Sequence, residues 1–589
     1  MNKQTCPGKV KFLLDGLGKS QYAFALDCTI ILAAFCLVIL VINPAGNFPL
    51  NDDWAFAATV RYFMETGEFH PSGWASMSLF SNVLWGALFC LPKGFSFDAL
   101  RLSTLVASMV GVLGVYAIAR ECKQKRSTSL LAAFSVEFNP IYGGLSFTFM
   151  TDVPFTAAIT LSVLFFVRSI TRSSNGYLWL GGVLSVAAAL SRQFALCVPL
   201  AFAITHVVRF GLKRKPMMCA VALVAVPTVA ILALGHWVWS RVGEMEESAS
   251  RLAYLMGVLS HPGASLLLVL GTEFVLIAYL GLFLLPILLF SRPTILREFR
   301  VTVLQVGMLF LMIAGGVILF TNKPLFGEMS AFMPIWGNIL DGRGIGPVSL
   351  RDIFVLGLDH VPALPRPFWI LVTVMSFVGS VLLTLRLGEL LSTLLSRART
   401  PSKALDIGAS VNLFLMCASL IYLAALPFPG YVFDRYILPA LPMLIGALLN
   451  GAPPPSAVQS SSIGISKLIA VVSVACWGWF TIAGTRDYLE WNRVRWSAIR
   501  HLMTVDHIGP EAIDGGFEFG GTYLYDPTID FHKKAEALTP PDGTSWYWIK
   551  DDTYQLGFGS VPGYTIVREY GYERWLSPGH QKIVVMKRN

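Results

Sequence analysis

Apolar runs of about twenty residues follow one another along most of this chain, and that succession limits its fold more than any other feature. A helix needs ~20 such residues to cross the ~30 Å hydrocarbon core, where only a segment that satisfies its own backbone hydrogen bonds is tolerated. The stretches 30–42, 266–290 and 301–320 supply most or all of the ~20 apolar residues that a spanning helix needs. With 54% of 589 residues hydrophobic and 14% charged, the chain has more apolar surface than a soluble domain of its size can bury. A single leader sequence does not account for so many runs.

Hydropathy places about thirteen spans, at 22–42, 99–119, 129–149, 153–168, 178–191, 193–209, 217–239, 264–290, 301–320, 368–388, 407–427, 435–450 and 466–485. Met77–Pro92 is a further apolar run. Basic residues cluster at Arg120–Arg126, Arg168–Arg172, Arg209–Lys215, Arg292–Arg300 and Arg386–Lys403. These clusters share the cytoplasmic side with Lys9–Lys19 only if Met77–Pro92 is re-entrant or interfacial. The expectation is an all-α polytopic membrane protein with a cytoplasmic N-terminus (1–21) and a membrane region (22–485) that carries outer loops at 43–98 and 322–366. The outer C-terminal domain (486–589) is expected to be small and α+β. It opens with an amphipathic helix (Val494, Ala498, Leu502, Val505), followed by strand-like runs at Ser545–Lys550, Tyr564–Tyr572 and Lys582–Lys587. No Asn is followed by x-Ser/Thr, which favours a bacterial inner (plasma) membrane over that of the endoplasmic reticulum.

The net charge of +9 invites a nucleic-acid reading, but no basic and aromatic array lies on a soluble module. Nine cysteines are scattered singly, with neither zinc spacing nor a disulfide framework. No phosphate-cradling glycine loop is present, and His70, His261 and His360 are too far apart in sequence to read as a metal site. Neither a metal nor a nucleotide cofactor is expected.

Four features carry possible chemistry. Asn51-Asp52-Asp53-Trp54 follows the first span, where the carboxylates either cap a helix or place a general base at Asp52, with Asp53 orienting it or binding the acceptor. Thr151-Asp152-Val153-Pro154 reads as a cap, a site, or both. Arg192, Lys323, Arg343 and Arg435 are outer cations suited to a lipid phosphate, the alternatives being snorkelling or a local pair such as Asp434 with Arg435. The short pair 178–191 and 193–209 sets Arg192 at membrane depth. The loop Pro324–Pro367 is long enough to imply function, either as a cover over a cleft or with Leu350–Leu358 as an interfacial helix.

The acidic pair after the first span, the acid at Asp152, the span number and the outer C-terminal domain together resemble GT-C glycosyltransferases. Within that class, residues 20–450 are most similar to the protein O-mannosyltransferase and lipid A aminoarabinose transferase group. The resemblance implies a polyprenyl-phosphate sugar donor, an inverting displacement, and a lipid, glycan or protein acceptor, with membrane lipids as surroundings. It assigns Asp52 and Asp152 to acidic positions, with Asp53 standing where the group commonly has Glu, and Arg192, Lys323 and Arg435 to the leaving phosphate. One departure concerns the acceptor: aminoarabinose transferases carry an acid and a Lys just before the segment matching Met77–Pro92, and this chain has Gly73, Trp74, Ala75 and Ser76 there. Two other classes remain open on these residues: a transporter or flippase of lipid-linked sugars, and a membrane subunit whose acidic pair only caps a helix.

Overall fold

The computed structural model describes residues 7–75, 77–242, 246–291, 302–398, 405–428, 432–450, 461–526, 548–549 and 551–589. Ten helices among them are long and apolar enough to cross a membrane: Gln21–Ile42, Phe97–Glu121, Asp152–Arg172, Gln193–Phe210, Arg214–Arg241, Pro262–Ser291, Val303–Thr321, Arg366–Arg397, Ile407–Ala425 and Gly464–Thr504. The other three expected spans are interrupted or short. Within 129–149 the Asn139 carboxamide accepts the amides of Ile141 and Tyr142 at 2.9 and 3.0 Å, so Arg126–Glu137 ends and Pro140–Ser146 begins anew. The 178–191 region is the helix Asn175–Ala189, and 435–450 is a 3-10 turn, Asp434–Ile437, followed by Ala440–Leu449. Met77–Pro92 holds only Phe80–Cys90, about 16 Å of helix at 1.5 Å per residue and half the depth of a bilayer core. The chain is a multi-pass, largely helical membrane protein.

Three helices form the middle of the bundle: Phe97–Glu121, Asp152–Arg172 and Pro262–Ser291 bury 72, 67 and 72% of their apolar windows, against 17% for Arg214–Arg241. The outer helices show Leu37, Leu40, Val229 and Leu232 to the surroundings. Lipid gives no premium for burying leucines, so helices there close on small residues that let backbones approach. Pro262–Ser291 and the helix Arg366–Ala398 do so. A Cβ on Gly379 would lie 2.1 Å from the Gly281 carbonyl oxygen, while Ser376 and Ser380 donate to the carbonyls of Ala278 and Ile277 at 2.7 and 3.1 Å. At one end of the bundle basic loops are tied together, with Arg168 and Arg172 sharing Glu121 and Arg126 paired with Asp27.

The last membrane helix does not stop where its apolar part ends. Ser461–Thr504 runs through 44 residues, joining the expected span 466–485 to the amphipathic stretch beyond it. A hairpin of β1 (Leu340–Asp341) and β2 (Gly344–Ile345) lies in the long loop. The C-terminal sheet has β3 (Ile513–Asp514), β4 (Tyr554–Gly557), β5 (Tyr564–Arg574) and β6 (Gly579–Arg588) in the order β3-β4-β6-β5, with β3 and β4 parallel and the rest antiparallel. Period-two alternation drives β5 and β6 together and seats Leu556, Ile583 and Val585 in one cluster with Leu489, Ile499 and Leu502 of the long helix. Val584 and Met586 cluster with Leu356 and Leu358 instead. Of Ser545–Lys550 only Trp548 and Ile549 lie within the described residues, neither of them in a strand.

Leu350–Leu358 is helical only at Arg351–Phe354, and its charged residues turn to the sheet rather than to a membrane surface. Arg351 reaches Asp552 at 2.6 Å and Tyr564 at 3.0 Å, and Asp352 accepts the Phe558 amide at 2.6 Å and pairs with His360 at 2.9 Å. The long loop is thereby pinned to the C-terminal sheet.

Because Gly379 has only the Gly281 backbone in front of it, Gly379→Leu is expected to force the two helices apart, at a cost of about 1–3 kcal/mol. Thermal unfolding of the purified protein in detergent checks this, with a lower midpoint as the expected outcome.

Candidate functional site at the Asp52 end of the bundle

The loop 43–98 brings Asn51 into the left-handed region, at φ 56°, and the helix Asp53–Thr66 starts two residues on. That reversal sends the two neighbouring carboxylates in different directions. Asp52 holds the N-cap position without a side-chain cap bond, and its carboxylate turns out of the helix. Its Oδ1 accepts the Trp74 indole N–H at 3.1 Å, Arg435 lies 3.3 Å from Oδ2, and the side chain keeps 20% of its surface exposed. Asp53 is buried, at 1% exposure, and accepts the amides of Leu50 at 2.6 Å and Phe149 at 3.1 Å. It staples the Asp52 loop to the turn before Asp152. Burial pushes its carboxyl up to about 8, against the two amide bonds and the nearby Arg101, which pull it down.

Asp152 opens the helix Asp152–Arg172 and is equally buried. Arg192 lies 3.0 Å from its Oδ1 and Arg435 3.7 Å from its Oδ2. Arg192 also donates from Nε to the Thr151 hydroxyl at 2.9 Å, and Arg435 donates from Nη1 to the Asn338 carboxamide in the long loop. Both cations sit where helices break: Arg192 directly before the 3-10 turn Gln193–Leu196, and Arg435 inside the turn Asp434–Ile437. The Tyr436 ring is shared by the two guanidiniums, at 5.6 Å from Arg192 and 5.8 Å from Arg435. A continuous row of charges results: Asp52, Arg435, Asp152, Arg192. Beyond their ion pairs, both Asp152 oxygens and the Arg435 Nε have no hydrogen-bond partner among the described residues. A cavity of about 50 Å³ lies beside Arg192, lined by Met77, Gln193, Phe194, Tyr422, Leu426 and Tyr436.

The expected set is therefore divided. Asp52, Asp152, Arg192 and Arg435 come together. Asp53, expected to orient the base or bind the acceptor, instead has its carboxyl group enclosed and spent on the amides of Leu50 and Phe149. Lys323 does not join the row: its side chain is mostly exposed and its ammonium pairs with Glu328 at 2.7 Å. Arg343 lies 3.8 Å from Asp341 and from Asp359. Asp434 does not hold Arg435 in the alternative local pair; its carboxylate accepts the amides of Ile339 and Leu340 at 3.0 and 2.8 Å and anchors the long loop. No His, Cys, Asp and Glu group suited to a metal occurs among the described residues. Sequence reading missed the contributions of Trp74, Asn338 and Tyr436. Trp74 stands among the four residues that depart from the aminoarabinose transferase pattern, and that departure was its signal.

Residues 77–239 match the model of the dolichyl-phosphate-mannose-protein mannosyltransferase family. This stretch contains Asp152 and Arg192, with Asp52 before it and Arg435 after it. It is the group whose resemblance the acidic residues carried, and mannosyltransferases are glycosyltransferases. Among solved structures the chain is similar to ArnT from Cupriavidus metallidurans bound to undecaprenyl phosphate, with 12% identity and a TM-score of 0.44 over 95% of this chain and 97% of that one. It is also similar to ArnT from Cupriavidus metallidurans in the apo state, with 12% identity and a TM-score of 0.35 over 95% of this chain and 98% of that one. No curated protein matches.

The environment of Asp53 has a consequence for stability. With its pKa raised in the fold, the native state holds a proton that the unfolded chain releases, so this contribution is present at low pH and is lost as pH rises from about 4 to about 8. Asp53→Asn is expected to flatten that part of the profile, read as melting midpoint against pH beside the wild type.

Proposed function

We propose that this protein is a membrane glycosyltransferase that moves a sugar from a polyprenyl-phosphate donor to an acceptor hydroxyl on the outer membrane face, with inversion at the anomeric carbon. The observation that carries the reading is the row Asp52, Arg435, Asp152, Arg192, in which one partly exposed carboxylate ends a line of two buried guanidiniums. The family match over residues 77–239 supports it.

In this mechanism Asp52 takes the proton of the acceptor hydroxyl as its oxygen attacks the anomeric carbon. The bond from that carbon to the phosphate oxygen breaks, and the lipid phosphate leaves with the electron pair. Arg192 and Arg435 meet the charge that develops on it, since guanidinium forks match phosphate oxygens and act strongly where water is excluded. Asp152 holds the two forks in place and prevents bare cation repulsion before the donor arrives. The cavity beside Arg192, one cation among apolar and aromatic walls, suits the junction of a phosphate with its isoprenoid chain. Phosphate at that end leaves Asp52 free for the acceptor side. Trp74, bonded to Asp52, fixes the direction of the base.

The test uses purified full-length protein and a panel of polyprenyl-phosphate pentoses and hexoses. Asp52→Asn is expected to lower turnover by about 10²–10⁴-fold, the usual worth of a positioned base. Turnover within about twofold of the wild type would overturn the assignment, and lipid movement across vesicles without transfer would point to a transporter. Arg192→Ala and Arg435→Ala are each expected to lower kcat/KM for the donor by roughly 10–100-fold, in line with a lost charge-assisted contact to the phosphate as its charge develops. Measuring KM for donor and acceptor separately distinguishes this from acceptor binding.

A further inference from the structure

The helix Phe517–Tyr523 belongs to the C-terminal segment, yet its first two residues reach the loop that carries Asp52. Glu518 is fully buried, and its carboxylate takes donors from three distant parts of the chain. They are the Asn51 amide at 3.1 Å, the Ser349 hydroxyl at 2.7 Å and the Arg495 guanidinium at 2.9 Å. Asn51 is the residue just before Asp52, and its left-handed backbone persists in a non-glycine residue only where the surroundings hold it. Phe517 packs against Trp74 at 5.8 Å, and Trp74 donates to the Asp52 carboxylate. Two consecutive residues thus support Asp52 from its backbone side and from its side-chain side. The short helix is itself fixed closely: Gly516, at φ 90°, has room only for a hydrogen before the Ser349 carbonyl, and Gly521 lies flat against Trp54.

We infer that Glu518 is a positioning residue for Asp52, so that the C-terminal segment completes the active site rather than standing beside it. The inference rests on the reading of Asp52 as the base. Glu518 touches no reacting atom in this scheme. It holds the Asn51 amide, with Arg495 keeping its charge balanced, and so fixes where the next residue's carboxylate stands. A displacement of about 1 Å at such a group is enough to cost on the order of a hundredfold in rate.

Two full-length variants separate reach from charge. Glu518→Asp keeps a charge in the pocket but draws both oxygens back from Asn51, Ser349 and Arg495; Glu518→Gln keeps one acceptor oxygen in reach of Asn51, removes the charge and turns an amide NH2 toward Ser349 and Arg495. Glu518→Asp is expected to speed amide hydrogen exchange across residues 48–56 and to lower kcat by at least about tenfold, with KM for the lipid donor within about twofold. Glu518→Gln leaves the buried Arg495 without its anion and is expected to lower the melting midpoint, but with an acceptor oxygen still on the Asn51 amide it is expected to change exchange across 48–56 and kcat less than Glu518→Asp does. In an Asp52→Asn background, Glu518→Asp is expected to add no further loss, because its effect passes through the missing base. Unchanged exchange over 48–56, faster exchange with intact turnover, or losses that multiply in the double variant would each overturn the inference. If the wild type transfers no sugar from any donor, the glycosyltransferase reading fails, and the exchange comparison alone still decides whether Glu518 holds the loop.

Discussion

A buried guanidinium has to be met by anions or dipoles, because the cost of taking it out of water is several kcal/mol and is offset only by close partners. Arg435, 5% exposed, makes that demand between the loop 43–98, the start of the helix Asp152–Arg172 and the loop 322–366. Its three nitrogens face Asp52, Asp152 and Asn338, one from each. The assembly of this end of the bundle follows from satisfying that one side chain. Asp152 then needs more than Arg435 supplies, and Arg192 enters the row.

Both arginines stand at interruptions rather than inside full helices. Non-helical backbone is tolerated within a membrane protein only where protein or a cavity encloses it, so short elements such as Asn175–Ala189 and Ala440–Leu449 mark where the bundle opens inward. The interruptions that shortened three expected spans are of this kind. Hydropathy adds up apolar residues and does not register that Asn139 caps a new helix start, so it reads through the break.

Much of the fold was legible. The apolar runs and the alternation in β5 and β6 follow from local periodicity, and the sidedness of the basic loops is what kept Met77–Pro92 from being read as a span. The site was legible to the extent that a charge in apolar surroundings is conspicuous, which picked out Asp52, Asp152, Arg192 and Arg435. The same rule selected Asp53 and Lys323 with equal force. What separates them is the path of the chain: the left-handed turn at Asn51 divides the acidic pair, and Lys323 is carried to an exposed pair with Glu328. Glu518 gave no sequence signal at all, since an ordinary Glu near a glycine pair meets its partner 467 residues earlier.

The unbroken helix Ser461–Thr504 sets the relation between membrane and sheet. At 1.5 Å and 100° per residue, its 44 residues make a rod of about 66 Å whose length and rotational phase are both fixed. Residues at its far end, Arg495 among them, therefore have a set height and a set compass bearing relative to the bundle. A single residue gained or lost near its middle would swing the sheet by more than a quarter of a turn. The membrane region and the sheet are geared to one another, and this part of the chain can vary in composition far more readily than in length.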